Sequence, residues 1–169
     1  MVKDHLPQLN NLGPTSVVIV IHPDEMAIRE SLIITDHTEY IRQLRACLLA
    51  ADRKQAAILV AALGKNCRTF PPFIADISQG YYFIDNRNSG TTEDQAHRII
   101  DWLVEHNNID HVVFTGGWKG ACLNHAMNTI LKGDKRIKDV IGLGLFETRL
   151  NHPNLHRKLS VEVYERLVF

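Results

Sequence analysis

Apolar residues along the chain fall into short unbroken runs, separated by stretches in which they recur every three or four positions. The first run, SVVIVI at residues 16–21, is β-branched and has no polar alternation. That is the pattern of a strand covered on both faces. His22-Pro23 ends it, because proline has no N–H to give to a ladder. Residues 36–51 predict a helix, with Asp36 and Glu39 at capping-box spacing and Ile41, Leu44, Cys47, Leu48 and Ala51 as its buried stripe. Residues 55–63, containing AAILVAAL, predict a second buried strand that Gly64 terminates, and residues 65–80, with Pro71-Pro72, read as loop. A third short strand is expected at 81–84 and a polar turn, DNRNSG, at 85–90. Thr91 or Thr92 caps the next helix, whose stripe is Ala96, Ile99, Ile100, Leu103 and Val104. HVVFT at 111–115 is a fourth strand, GGWKG at 116–120 a tight turn, and 121–132 a third helix stopped by Gly133. VIGLGLF at 140–146 is a fifth strand. The tail, residues 159–169, is ambiguous: Val161 and Val163 alternate as in a strand, while Val161, Tyr164, Arg166 and Val168 do not settle a helix.

Strands alternating with helices give parallel crossovers, and the expected fold class is α/β: a three-layer sandwich with a mostly parallel central sheet and helices on both faces. With no repeat, low-complexity segment or dividing linker, residues 1–169 read as one domain. Ligands of such sheets sit at the carboxyl ends of the strands. That rule selects residues 22–25, 63–67, 85–89 and 116–122 for chemistry.

Composition narrows the function classes. Nineteen basic residues balance nineteen acidic ones, so nothing in the net charge favours sequence-independent binding to phosphates, and no nucleic-acid partner is expected. Lys132, Lys135, Arg136 and Lys138 form a small basic group that reads as a solvated helix end. Cys47, Cys67 and Cys122 form no CxxC pair. An odd, sparse set suits a reducing cytoplasm better than a disulfide scaffold. No signal peptide or run of about 20 apolar residues is present, so no membrane partner is expected. The nine histidines are scattered; His152 and His156 are four apart but separated by Pro153. No metal site and no cofactor is expected.

The segment VVFTGGWKGACLNHA, residues 112–126, carries the chemistry. A buried strand runs through glycines into a helix, and Cys122 falls in the first turn, where unpaired N–H groups and the helix dipole favour a thiolate. The backbone of residues 117–121 could hold an oxyanion, with Lys119 adding positive charge. The alternative is that Cys122 is a small buried hydrophobe and the glycines only permit close packing. Trp118 could stack on a flat substrate or pack on the helix start. His125 lies three residues after Cys122 on the same side of the helix. His22 could serve as a base for Cys122, oriented by Asp24 or Asp85, or could simply end its strand.

This segment resembles the nucleophile region of the isochorismatase-like cysteine hydrolases, a superfamily that includes the nicotinamidases. The order of elements is similar over residues 16–146. The resemblance implies Cys122 as nucleophile with the Gly116-Gly117-Trp118 turn beside it, a small-molecule amide or related substrate, and a homo-oligomer. It also implies an aspartate just after the first strand and a lysine after a middle strand. His22 stands at the first position, with Asp24 two residues on. Asp85-Asn86 stands near the second, with Arg87 the nearest cation.

The candidate catalytic residues are therefore Cys122, His22 and Asp24, and the candidate substrate-binding residues Gly116, Gly117, Trp118, Lys119 and Asn86. The expected function is that of a cysteine hydrolase with a degenerate catalytic set. A catalytically inactive member of the fold, used for binding or assembly, is the alternative. A third reading is an anion site at the GGWKG turn.

Overall fold

A computed structural model describes residues 9–23, 37–62, 74, 77–84, 92–119, 122–133 and 139–147. Five strands form one sheet: β1 (Ser16–Ile21), β2 (Ala57–Ala61), β3 (Tyr82–Ile84), β4 (His111–Lys119) and β5 (Asp139–Glu147). Their order is β3-β2-β1-β4-β5, and every neighbouring pair is parallel. Three helices are described: α1 (His37–Lys54), α2 (Thr92–Glu105) and α3 (Cys122–Gly133).

The sheet is covered on both faces, which explains why β1 is apolar from Val17 to Ile21. Val17, Ile19 and Ile21 pack into one core with Leu59, Val112 and Phe114, beneath Ile99, Leu103, Leu123 and Ile130 of α2 and α3. Val18 and Val20 point the other way, into a second core with Ile58, Val60 and Val113 and with Leu44, Cys47, Leu48 and Ala51 of α1. A strand with a polar alternate position would place that side chain in one of these two cores.

The α/β sandwich and five strands agree with the sequence pattern, and three details differ. Val104 is 61% exposed, and the buried stripe of α2 runs instead through Gln95, Ala96, Ile99, Trp102 and Leu103. Positions four, seven and eight after Gln95 share its side of a helix, whereas Val104 lies nine on and turns away. Ile100 is half-buried and faces Gly133 of α3. The third difference is the expected tight turn at 116–120. Residues 116–119 continue β4, with Gly116 opposite Leu145, Gly117 opposite Phe146 and Lys119 opposite Glu147 of β5. Register shifts flank Gly116 and Gly117 in that pairing, so the glycines bend a strand rather than close a turn. The 85–90 turn, the 159–169 tail, Cys67, His152 and His156 lie outside the described residues.

Candidate functional site at the carboxyl edge

The chain leaves the carboxyl end of β1 for α1 and β2 on one side, and leaves that of β4 for α3 and β5 on the other. Adjacent strands whose connections diverge to opposite faces open a crevice at their carboxyl ends. His22 follows β1 directly, and Cys122 opens α3 soon after β4.

The two strand ends are pressed together at Gly116. Its φ is +101°, and a Cβ there would lie 2.0 Å from the carbonyl oxygen of Ile21. Ile21 and Gly116 are register partners, so only glycine allows this approach. The next residue of β1's chain, His22, also has a left-handed backbone, φ +50°. Its N–H donates to the carbonyl of Ala61, 2.7 Å away, which carries the β1–β2 pairing one residue beyond the strand.

The His22 side chain is 2% exposed and its Nε2 lies 3.1 Å from Oε1 of Gln95. Burial holds the imidazole at about 4, well below its ordinary 6.5; the hydrogen bond to Gln95 acts in the opposite direction but is the smaller influence. His22 is therefore neutral at pH 7.

Cys122 is half-buried at the first position of α3 and packs against the core shared by β1, β4, α2 and α3. No acidic residue occupies the first turn of that helix, so no carboxylate opposes a thiolate there. Cys47 is the contrast: it is fully buried on α1, and burial pushes its thiol up to about 12. His125, one turn after Cys122, is half-buried. Gly117 is buried within β4, and Trp118 and Lys119 occupy that strand's last positions. Residues 116–119 pair with β5, and the first turn of α3 carries further N–H groups without an intrahelical partner. Asp24, Asp85, Asn86, Arg87 and Gly120 lie outside the described residues.

Gln95 was not among the residues expected from the pattern. Its signal was there: a glutamine four, seven and eight residues ahead of Ile99, Trp102 and Leu103 sits on an apolar stripe. Among the described residues no three His, Cys, Asp or Glu side chains converge as a metal site would require. A cavity of about 240 Å³, lined by Tyr82, Trp102 and His106 among others, lies at the opposite, amino edge of the sheet, away from Cys122 and His22.

With this architecture in hand, solved structures supply a comparison. The chain superimposes on YcaC from Pseudomonas aeruginosa with a TM-score of 0.66 at 11% identity, covering 94% of this chain and 78% of that one. That structure carries hexane-2,5-diol and covalent acrylamide. The MAR1 ribonuclease of Caenorhabditis elegans matches with a TM-score of 0.60 at 14% identity, over 92% of this chain and 76% of that one. YcaC from Escherichia coli, an octameric hydrolase of unknown specificity, matches at 0.59 and 12% identity, over 78% and 63%. Isochorismatase-family structures share the architecture. This is the isochorismatase-like fold. The likeness is carried by backbone geometry: no family model matches the sequence, and no curated protein matches it either. Cys122 is the first residue of the helix that follows β4.

Proposed function

We propose that the chain is a cysteine hydrolase-like protein that takes a small amide or related ligand at the carboxyl edge, with Cys122 as the nucleophile. The observation that carries this reading is the pairing of Ile21 with Gly116, which brings the end of β1, bearing His22, beside the strand that leads into Cys122. The first turn of α3 supplies the positive potential for a thiolate and for an oxyanion. Cys122 Sγ attacks the carbonyl carbon as the thiol proton passes to His22 or Asp24; the C–N bond then breaks, the amine leaves with that proton, and water hydrolyses the thioester to release the acid and restore the thiol.

One magnitude favours a second reading, a catalytically lost member of the fold serving as a binding or assembly module. Moving a proton from an ordinary thiol, at about 8.5, to an imidazole held at about 4 costs on the order of 6 kcal/mol. Proton transfer from a thiol to His22 is therefore uphill unless the helix terminus or a ligand stabilises the thiolate.

The pH dependence of acrylamide alkylation at Cys122, read by intact mass with Cys122→Ala as control, separates the two. Fast modification with an apparent pKa well below about 8.5 supports the hydrolase. An inert thiol in the folded protein moves the assignment to the binding module.

We also infer a cytoplasmic homo-oligomer. The octamer of the Escherichia coli neighbour supports assembly, as does strand β3, at one edge of the described sheet, with Tyr81, Tyr82 and Phe83 each at least 36% exposed. Among the described residues no helix is long and apolar enough to cross a membrane. Size-exclusion chromatography with light scattering tests the assembly, and a monomer at micromolar concentration refutes it.

A further inference from the structure

Gln95 bridges three strand ends. Its Nε2 donates to the carbonyl of Ala62, just past β2, at 2.6 Å, and lies 3.5 Å from the carbonyl of Ile84, the last residue of β3. Its Oε1 faces His22 Nε2, just past β1, at 3.1 Å. The side chain is 1% exposed, so water does not compete for these bonds.

These contacts decide which way the amide points. Turned over, Oε1 would sit 2.6 Å from the Ala62 carbonyl oxygen, two acceptors in contact with no proton between them. The amine of Gln95 therefore belongs to Ala62 and Ile84, and Oε1 is left as an acceptor. An acceptor opposite His22 Nε2 requires the proton to be on Nε2. In the neutral ring the lone pair is then on Nδ1.

We propose that Gln95 is a positioning residue that holds the His22 imidazole in one orientation and as the Nε2–H tautomer, making Nδ1 the only ring atom that can accept a proton. The inference deepens the hydrolase reading, since a proton leaving Cys122 or a substrate for His22 arrives at Nδ1. The tautomer itself stands without catalysis. Gln95 is also fixed independently of His22, because both of its other contacts are to backbone.

Long-range 1H–15N correlation spectra of the 15N-labelled protein at pH 7 read the tautomer directly. The expected result is a protonated Nε2 and a bare Nδ1 at His22. An Nδ1–H tautomer in the native protein overturns the proposal, and this measurement needs no variant. In Gln95→Leu the Nε2–H proton should exchange with solvent at least about tenfold faster, the scale of one lost hydrogen bond. Unchanged His22 resonances and exchange in Gln95→Leu would also overturn the assignment. Acrylamide alkylation of Cys122 in His22→Asn is the separate arm. An unchanged rate there removes His22 as the base but leaves the tautomer result standing.

Discussion

Gly116→Ala tests the close contact on which the site is built. Alanine at this position would place its Cβ 2.0 Å from the Ile21 carbonyl oxygen and 2.9 Å from the carbonyl carbon, where side-chain carbons essentially never come closer than 3.0 Å. The obstacle is backbone, so no rotamer change relieves it. The ends of β1 and β4 must part by about 1 Å, at a cost of roughly 1–3 kcal/mol on the scale of overpacked cores. A φ of +101° adds about 1–3 kcal/mol of strain for a residue with a Cβ. The expected loss is about 2–6 kcal/mol, a large part of an ordinary stability of about 5–15 kcal/mol. For a chain of this size that corresponds to a fall in Tm of roughly 4–24 °C. Two further variants separate the causes. Gly80 has φ +77° with nothing within 4 Å of an added Cβ, so Gly80→Ala isolates the strain. Gly13 has open space and no positive φ, so Gly13→Ala should stay within about 0.5 kcal/mol of the native protein. Urea unfolding followed by circular dichroism measures all three. A Gly116→Ala protein no less stable than Gly80→Ala would refute the close contact.

The remaining predictions address the core, the thiols and the buried histidine. Leu103→Ala should cost about 2–5 kcal/mol, because the side chain is fully buried between α2 and the sheet, while Val104→Ala one residue on should cost under about 0.5 kcal/mol; equal urea midpoints would contradict the observed helix face. Cys47 should resist alkylation at pH 8 in the folded protein and react only on unfolding, since burial holds its thiol at about 12; mass spectrometry of digests locates the adduct. His22 is lowered from 6.5 to about 4, so the unfolded chain binds the proton more readily than the folded one. Its contribution to stability is complete above about pH 6.5 and lost as pH falls toward 4, amounting to about 3 kcal/mol at this burial. In His22→Asn the unfolding free energy should lose that part of its slope between pH 6.5 and pH 4; an unchanged slope would show that the ring is not buried as described.

The strands were legible because the sheet is buried on both faces. SVVIVI has no reading other than a covered strand, and its observed bounds, Ser16–Ile21, coincide with the run. The stripe of α1 was legible for the same reason, as Leu44, Cys47, Leu48 and Ala51 all enter one core. The extension of β4 was not. Glycine carries no side chain to show periodicity, so GGWKG reads as a turn unless its pairing with β5 is known, and that pairing is a contact across some thirty residues. Gln95 was hidden by a different effect. Its partners, two backbone carbonyls and His22, lie on three other elements, and no local pattern records them. Position 95 advertised only that a polar side chain stood on an apolar face.

Three unusual features meet at the carboxyl edge: a buried histidine with left-handed backbone, a glycine whose place no other residue can take, and a glutamine sealed among apolar side chains. None improves the core. Residues with positive φ cost about 1–3 kcal/mol each, and buried polar groups are tolerated only when bonded. Among the described residues the other non-glycine one with positive φ has a local reason, since Gln55 follows the last residue of α1, where helices commonly end in this conformation. His22 ends a strand, and nothing about a strand end calls for it. Packing would be served as well by a leucine at 95 and an extended residue at 22. That Gln95 is instead bonded to backbone from β2 and β3 while holding His22 shows the imidazole's orientation to be a built feature of this edge. Such an orientation serves a proton acceptor or a ligand contact, and it serves either whether or not Cys122 still turns over a substrate.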